Sequence, residues 1–464
     1  MSLRVGWAGS SVLTIVTVAS SACVHYAAKP LDVTRVFDRL DSRTLADPDL
    51  ARVAESAHLS SAWPPAEWDV QALTVAALYF HPDLAVARAS WGVARAGIVT
   101  AGARPELGVA VGPGFNSSTP AGTITPWIFN LDLDFTIETA GKRGLRVDQA
   151  TRLADSARYQ IASTAWQARM RVRQALLDLF AATEAAKILD RQRTIQEANF
   201  ALFQRQLDAG EISALQISQV RLLLSGARLA LFDAQRQQQD ARARLAAAVG
   251  VPLDALEGTR LGLEGFTRGV ADLPDTAARR QALTNRADVL SALADYEASE
   301  AALQLEIAKQ YPDLHLGPGY QMDQNNNKWS LLFPLTLPVF NRNRGPIAEA
   351  DARRTLAASQ VEAIQARAIG AVDRALAAYR SALDKVTLAD QLIAEVQQVA
   401  QTAERQLAAG AISQLDLGIV QVELGSHELS RLEALVQVQQ ALGDIEDAMQ
   451  RPVDLPLDPI ARVP

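Results

Sequence analysis

Residues that usually mark catalytic or metal-binding proteins are scarce in this chain. Its 464 residues include one cysteine, four methionines and five histidines, and aromatic residues make up 6%. A single cysteine leaves no intrachain disulfide to stabilise the fold. No Gly-rich phosphate loop, His-Glu-x-x-His motif or nucleophile elbow is present, and the histidines do not pair at metal-ligand spacing. We therefore expect no enzymatic activity, no catalytic residue, no metal site and no cofactor.

Clustered basic residues are also missing. Acidic residues outnumber basic ones, which gives a net charge of −7. Binding to nucleic acid normally requires a basic patch or a recognisable basic motif, so we expect no nucleic-acid partner. Alanine, glutamine, arginine and leucine are abundant instead, as in long helices and coiled coils.

The chain contains an internal duplication. Residues 205–215 read Arg-Gln-Leu-Asp-Ala-Gly-Glu-Ile-Ser-Ala-Leu, and residues 405–415, displaced by 200 positions, read Arg-Gln-Leu-Ala-Ala-Gly-Ala-Ile-Ser-Gln-Leu. Such self-similarity has to be found before a fold is assigned. We place the first copy at residues 71–255 and the second at 276–455. A Pro-containing segment at 23–70, predicted to be extended, precedes them, a linker at 256–275 joins them, and a tail at 456–464 follows.

Each copy contains two segments with strand-like alternation, predicted at about 107–115 and 130–139 and at about 313–321 and 330–340. In the segment at about 130–139, Asp132, Asp134 and Glu138 alternate with apolar residues, which places the acids on one face of a strand. Strands of about ten residues are long enough to cross a bilayer at a tilt. A soluble sheet with one solvated face would give the same alternation.

The predicted sheet has no other part of the chain to pack on, because helices surround it in the sequence. An open sheet edge in lipid leaves backbone groups without hydrogen bonds. We therefore expect four strands to close with strands of other copies, and Asp132, Asp134 and Glu138 to line an aqueous lumen. Pro334 and Pro338 lack the N–H that a ladder needs and make the last strand the weakest prediction.

Two very long helices are predicted. Neither proline nor glycine occurs between residues 145 and 209, and at about 1.5 Å per residue such a helix is about 100 Å long. Its counterpart runs from about 346 to 409, and a second helix follows each long helix. In the last of these helices, Leu415, Val422 and Leu429 recur every seven residues, which indicates a coiled coil. Gly210 and Gly410 suit the left-handed position that ends a helix, so the hairpin tips are predicted at 208–212 and 408–412.

The first residues look like an export signal. Arg4 precedes an apolar run, and small residues then lead to Cys23. The apolar run is too short to cross a membrane as a helix, so we interpret residues 1–22 as a signal peptide. Cys23 stands where a lipoprotein is lipidated, although Ser20 replaces the usual leucine. A lipid anchor at Cys23 and a plain signal peptide both remain open.

The helices, strands and glycine turns follow the same order in both copies. In this order the chain resembles the TolC-like outer-membrane efflux family over about residues 70 to 455. The resemblance implies a mainly α fold with membrane β-strands. Three chains would share a twelve-stranded β-barrel, four strands from each, continued by a periplasmic α-helical barrel of coiled coils. The homotrimer would be a passive exit duct in outer-membrane lipid, lipid-anchored and extending into the periplasm, supplied by an inner-membrane efflux pump through a periplasmic adaptor.

The resemblance also leaves the cargo open between metal cations and small toxic compounds. The Gly141-Lys142-Arg143-Gly144 segment is similar to that of the metal-exporting branch. Adaptor contacts are expected at the hairpin tips, at the residues Leu207, Gly210, Ile212, Ser213, Leu407, Gly410, Ile412 and Ser413.

In the resembled family, acidic residues six and nine positions beyond the second tip glycine form rings that narrow the tunnel and favour cations. Asp416 is at the sixth position after Gly410, whereas Ile419 at the ninth departs from the pattern. Asp416 is therefore the candidate gate and selectivity residue, and three such carboxylates should raise the pKa of at least one. The alternative is a solvated Asp favoured by the helix macrodipole.

Two other classes of protein remain possible. A periplasmic adaptor also has long helical hairpins, but it would show one hairpin flanked by β domains. A coiled-coil scaffold of an export complex would explain the helices but neither the paired strands nor the signal peptide.

Overall fold

The computed structural model describes residues 25–56, 63–118, 122, 124–267, 276–336 and 340–453. The chain forms two compact units, divided after Arg43. The described part of the first unit contains one helix, α1 (Val33–Asp41). The side chain of Asp32 caps α1 by accepting hydrogen bonds from the backbone N–H groups of Thr34 and Arg35.

The second unit contains both copies of the repeat. The first copy comprises α2 (Pro48–Ser56), α3 (Val70–Phe80), α4 (Pro82–Ala101), β1 (Gly108–Phe115), β2 (Trp127–Ile137), α5 (Lys142–Asp208) and α6 (Ala214–Val249). Two 3₁₀ turns follow at Leu253–Leu256 and Glu264–Phe266. The second copy comprises α7 (Thr276–Thr284), α8 (Ala287–Ala308), β3 (Leu314–Asp323), β4 (Asn326–Leu332), α9 (Arg344–Ala408) and α10 (Gln414–Met449).

The segment at 23–70 is not mainly extended, as the sequence analysis predicted, because it contains α1 and α2. Its prolines misled that prediction. Pro48 is the first residue of α2, a position where a helix needs no backbone N–H and the fixed φ of proline is suitable. Cys23 and the predicted signal peptide lie outside the described residues, as does the predicted tail at 456–464.

The four strands form one antiparallel sheet in the order β1-β2-β3-β4. The last strand differs from its prediction, because β4 ends at Leu332 and the segment with Pro334 follows it. β4 instead begins at Asn326, four residues before its predicted start at about 330. Gln324 and Asn325 have φ values of 49° and 71°, and two consecutive residues with positive φ make the tight hairpin turn that lets both strands extend.

The shorter helices pack along the two long helices, and α4 lies on α5 whereas α8 lies on both α5 and α9. α6 packs along α5, and α10 packs along both α9 and α5. Gly250, with φ of 87°, ends α6 against the backbone of Phe80 and His81, just where α4 begins. A Cβ at Gly250 would lie 3.1 Å from the Phe80 carbonyl oxygen. Only glycine permits this close approach at a positive φ, and it lets α6 and α4 continue one another along α5.

The main hydrophobic core surrounds the middle of α5. It includes Leu176 and Leu177 of α5, Leu73 of α3 and Leu245 of α6. The segment after α6 closes this region through a bridge between Trp68 and Leu261, where the Trp68 N–H donates to the Arg260 carbonyl oxygen at 2.8 Å. A second core joins α9 to α10 around the fully buried Tyr379.

Among the described helices, none by itself has the length and apolar composition of a membrane span, whereas the bent pair α3 and α4 meets that test jointly. The described residues also contain no group of three or more His, Cys, Asp or Glu side chains arranged to hold a metal ion.

Candidate channel strands and helical tips

The sheet has one apolar face and one polar face. Residues that lie opposite each other in an antiparallel ladder project to the same side. The register pairs Val111 with Leu131, Leu131 with Tyr320, and Tyr320 with Trp329. The apolar set therefore continues across all four strands, and it comprises Val109, Val111, Phe115, Trp127, Leu131, Leu133, Phe135, Ile137, Leu314, Leu316, Tyr320, Trp329 and Leu331.

The opposite face carries the polar residues, and two of the predicted lumen acids lie on it. Asp132 is paired with Gly319, and a Cβ added at Gly319 would lie 2.5 Å from Oδ1 of Asp132. Asp134 lies 3.1 Å from Nδ1 of His315 through its Oδ1 atom. The structure thus groups Asp132 and Asp134 with His315, a residue that the sequence analysis did not include.

Glu138 departs from its predicted position. It lies one residue beyond β2, and both of its carboxylate oxygens accept hydrogen bonds from Arg146 of α5, with Nη2 to Oε2 at 3.0 Å. These bonds hold the pKa of Glu138 below its usual value. Glu138 therefore joins the strands to the long helix rather than extending the polar face of β2.

A second charged contact completes this joint. Buried Lys142 donates from Nζ to Oδ1 of Asp313 at 2.8 Å and to the Tyr311 carbonyl oxygen at 2.7 Å. Oδ1 of Asp313 also accepts a hydrogen bond from the Thr139 N–H. Partial burial opposes ionisation of Asp313, but the bonds from Lys142 and Thr139 prevail and its pKa lies below its usual value. These contacts, here called the joint, fix the position of the ends of β2 and β3 relative to the start of α5.

Aromatic pairs occupy the opposite end of the sheet, next to the two hairpin connections. Phe115 and Trp127 have ring centroids 5.1 Å apart, and those of Tyr320 and Trp329 are 4.8 Å apart. Rings of this kind are typical of strands at a membrane–water interface. No local pattern in the sequence points to these pairs, because the partners meet only through the strand register.

The two helical hairpin tips have the same backbone geometry. Gly210 and Gly410 have φ values of 77° and 73°, as their predicted role requires. Gly210 donates to the Leu207 carbonyl oxygen and Gly410 to that of Leu407, both at 2.9 Å. The next N–H groups, at positions 211 and 411, donate to the carbonyl oxygens five residues earlier, at 2.8 Å in both tips, which completes a Schellman motif.

The remaining predicted tip residues lie around these turns. Leu207, Ile212, Leu407 and Ile412 are half-buried, and Gly210, Ser213, Gly410 and Ser413 are exposed. The two glycines and two serines are therefore accessible to a partner in the single chain. Contact of the eight tip residues with an adaptor remains a prediction.

Asp416 takes part in a capping box. The Ser413 N–H donates to Oδ2 of Asp416 at 2.9 Å, and the Asp416 N–H donates back to Oγ of Ser413 at 3.3 Å. In the first tip, Ser213 and Gln216 make the same pair of bonds. The pattern Ser-x-x-Gln or Ser-x-x-Asp is a sequence signal for this motif that the sequence analysis overlooked. Hydrogen bonds from the Ser413 hydroxyl and N–H lower the pKa of Asp416 within one chain.

The duplicated helices and the strands between them identify the family. The model of the outer membrane efflux protein family matches residues 73–251 and 278–449. The chain belongs to this family. The resemblance and the mainly α fold with four strands in each chain are thereby confirmed, and the barrel shared by three chains stays a prediction.

Two relatives of this efflux-family chain differ in what their names say they export or resist. The cobalt-zinc-cadmium resistance protein CzcC of Cupriavidus metallidurans is 26% identical over 220 residues, which is 47% of this chain and 52% of that protein. The match thus spans about half the length of CzcC. The pyoverdine export outer membrane protein OpmQ of Pseudomonas putida is 27% identical over 350 residues, which is 71% of this chain and 73% of that protein.

Solved structures share the fold of this efflux-family chain. The channel protein CusC superposes with a TM-score of 0.68 at 19% identity, over 84% of this chain and 94% of CusC. The open state of the Neisseria gonorrhoeae outer membrane channel MtrE superposes with a TM-score of 0.69 at 17% identity, over 83% of this chain and 89% of MtrE.

This efflux-family chain also contains a buried ion cluster that the sequence analysis missed. Arg169 and Arg173 of α5 both contact Oε2 of Glu446 in α10, at 3.0 and 3.3 Å. Arg173 also donates to the side-chain oxygen of Gln439 at 3.2 Å. All four side chains are buried. The cluster joins the long helix of the first copy to the last helix of the second, and no short motif in the sequence signals it.

Proposed function

We propose that this chain is the outer-membrane channel of a tripartite efflux system, a homotrimer that provides a passive exit duct. The observation that carries the proposal is the sheet, which has a continuous apolar face and a polar face, and in which no other described strand pairs with the outer edges of β1 and β4. Lipid provides no hydrogen bonds for such edges. Pairing β1 of one copy with β4 of the next closes the barrel, with the apolar face towards lipid.

The polar face then lines the lumen with Asp132 and Asp134, and α5 and α9 continue the duct into the periplasm. The tips meet a periplasmic adaptor through their exposed and half-buried residues, which include Leu207, Gly210, Ile212, Ser213, Leu407, Gly410, Ile412 and Ser413. An inner-membrane pump supplies the energy for export through this passive duct.

We favour metal cations as cargo. The acids on the polar face suit a cationic solute, and the name of the relative CzcC refers to cobalt, zinc and cadmium. Pyoverdine-like organic cargo is the second candidate, favoured by the longer match to OpmQ. Expression in a host that lacks its own channel separates them. Restored growth on cadmium, with no change for organic toxicants, supports metal export, and the reverse pattern supports the second candidate.

Asp416 is the proposed gate residue. Three copies around a closed tip would form an acidic ring at this position, one turn before the exposed Ile419. Gln216 builds the same capping box without charge, so Asp416→Gln removes the carboxylate while preserving the helix start. We expect this variant to lose most of the preference for cations over anions in bilayer conductance. Equal selectivity in the wild type and Asp416→Gln would exclude Asp416 from the pore.

Detergent dependence tests the channel itself. The purified trimer should need detergent after lipid removal, because its apolar sheet face stays exposed. A chain that remains dispersed in buffer without detergent would instead support a periplasmic adaptor or a scaffold.

A further inference from the structure

Arginine side chains collect at the end of the sheet where the strands meet the long helices. In the first copy, Arg143 of α5 donates from Nε to the Gly102 carbonyl oxygen at 2.6 Å, and Arg104 follows Gly102 by two residues. In the second copy, Arg342 and Arg344 lie at the start of α9. All four arginines are exposed. Each copy of the repeat thus places two exposed guanidinium groups next to its strands.

The carboxylates around the four arginines already bind other cations. Glu138 and Asp313 pair with the basic residues of the joint. At the end of α8, Glu306 pairs with Lys309 at 2.6 Å and accepts a second bond from Asn343 at 2.9 Å. Within the described part of the chain, no ion pair involves any of the four arginines. Their positive charge is therefore not neutralised inside the chain.

The segments that contain the four arginines have little negative charge. Residues 102–106, 141–144 and 341–345 include one acidic residue, Glu106. The first turns of α5 and α9 contain no acid, although the macrodipole favours acids and disfavours cations at the start of a helix. Helix stability therefore does not explain why basic residues stand there.

The other end of the sheet has a different character. Residues 116–126, which connect β1 to β2, include no charged residue, and Lys328 of β4 pairs with Asp323 at 2.7 Å. Exposed aromatic side chains accompany the arginines at the helix end, where Tyr311 is 60% exposed and Phe340 is fully exposed. Aromatic rings next to basic residues are typical of the head-group region of a membrane.

We propose that Arg104, Arg143, Arg342 and Arg344, here called the arginine belt, bind the phosphate groups of anionic phospholipids at the periplasmic surface of the outer membrane. The planar guanidinium group forms paired hydrogen bonds with phosphate oxygens, and basic residues at a membrane surface attract anionic lipids. This inference rests on the proposed function, which places the apolar face of the sheet in lipid and the long helices in the periplasm.

Two other anions could use the same guanidinium groups, a free phosphate ion and an anionic solute in the lumen. A phospholipid fits better than a free ion, because the exposed rings of Tyr311 and Phe340 suit contact with its apolar part. It fits better than a solute in the lumen, because Asp132 and Asp134 on the polar face would repel an anion there.

Lipid binding to the purified full-length trimer tests the arginine belt. In an uncharged detergent at low salt, the delipidated wild type should bind fluorescent phosphatidylglycerol at least about fivefold more tightly than fluorescent phosphatidylcholine. Salt at about 0.5 M should remove most of this preference by screening the charges. The variant Arg104→Gln with Arg342→Gln should lose most of it at low salt. Neither side chain makes a hydrogen bond within the described residues, so the fold loses no contact.

A matched control uses exposed arginines of α9 that lie far from the sheet. Arg374 and Arg380 are exposed, and they lie about 50 Å beyond the first residue of α9 along the helix. The variant Arg374→Gln with Arg380→Gln should keep the wild-type preference. A second belt variant, Arg143→Gln with Arg344→Gln, should behave like the first, and it provides the test if the first does not assemble on native gels.

The other outcomes overturn the arginine belt in distinguishable ways. A conducting trimer that binds both lipids equally, or that keeps its preference in the belt variants, overturns the belt and leaves the duct intact. Displacement of phosphatidylglycerol by an equal concentration of inorganic phosphate would identify a free ion as the occupant. Unchanged lipid binding with altered anion conductance would place the arginines in the lumen. A wild type that is monomeric in detergent and gives no conductance overturns the proposed function, and the belt with it.

Discussion

Asp416 and Gln216 stand three residues after the N-cap serines of α10 and α6, and both bond back to the serine N–H. A side chain that accepts this bond is favoured there by the helix start alone. The spacing from the tip glycine to this residue therefore has the same local structural cause in both copies, and at this position the tips differ only in the charge of Asp416.

The difference between these caps predicts a pH effect on one tip. Because the pKa of Asp416 lies below its usual 3.8, its cap stabilises the tip above that pH and is lost as the pH falls through the lowered pKa. Gln216 does not titrate. As the pH is lowered from neutral to well below 3.8, protection of the Ser413 N–H from hydrogen exchange should fall relative to that of Ser213, as measured by mass spectrometry. Parallel behaviour of the two tips would mean that the Asp416 carboxylate does not hold the second cap.

Glu446 is the sole carboxylate in contact with both Arg169 and Arg173 in the described cluster. Glu446→Gln removes the carboxylate that both buried guanidinium groups share, and breaking a buried pair costs about 3–5 kcal/mol. We expect a marked loss of stability in chemical denaturation followed by circular dichroism in detergent. Glu423→Gln is the matched control, because the Glu423 side chain is 63% exposed, and its stability should be within about 0.5 kcal/mol of the wild type.

At the scale of elements, β2 sets the dimensions of the proposed barrel. Its 11 residues, at about 3.3 Å each and tilted by about 45°, span roughly 25 Å, the height of the apolar band of outer-membrane barrels. The aromatic pairs at one end and the joint of Lys142 with Asp313 at the other then mark the two limits of the band.

The two faces of β2 should respond differently to an added charge. Leu133→Arg places a cation on the face proposed to meet lipid, where it costs about 2–4 kcal/mol near the midplane. Asp134→Arg places it on the polar face, where it loses only the contact with His315 and should alter ion selectivity. Trimer yield in native gels should fall for the first variant and persist for the second. Equal yields would show that the assigned faces are wrong.

The sequence was informative where a local pattern determines the structure. The alternation of β2, the glycine-terminated long helices and the duplication follow from spacing alone. The start of β4 was misplaced because Asn326, Asn327 and Lys328 are all polar and lack the alternation of a strand, and only the pairing of Tyr320 with Trp329 reveals that the strand starts earlier. The joint was missed for a different reason: Lys142 and Asp313 are 171 residues apart in sequence, so no local pattern connects them.

At the scale of the whole molecule, the anchor of the mature chain remains a prediction. Cys23 lies outside the described residues and follows the signal-like segment. Cys23→Ser should lose labelling by radioactive fatty acid and still reach the outer membrane, because a barrel inserts without the lipid and the anchor only strengthens attachment. Labelling that persists in Cys23→Ser would contradict lipidation at this residue.

The identical backbone of the two tips has a consequence for whatever binds them. The first tip carries Asp208 and Glu211 where the second has Ala408 and Ala411, so the same turn is presented with two different charges. A partner that recognises the shared turn finds twice as many sites on the assembly as one that requires Glu211. The tips therefore determine how many partner molecules one assembly can bind. The ratio of partner to channel chains in the isolated complex shows whether the partner binds both tips or only the tip with Glu211.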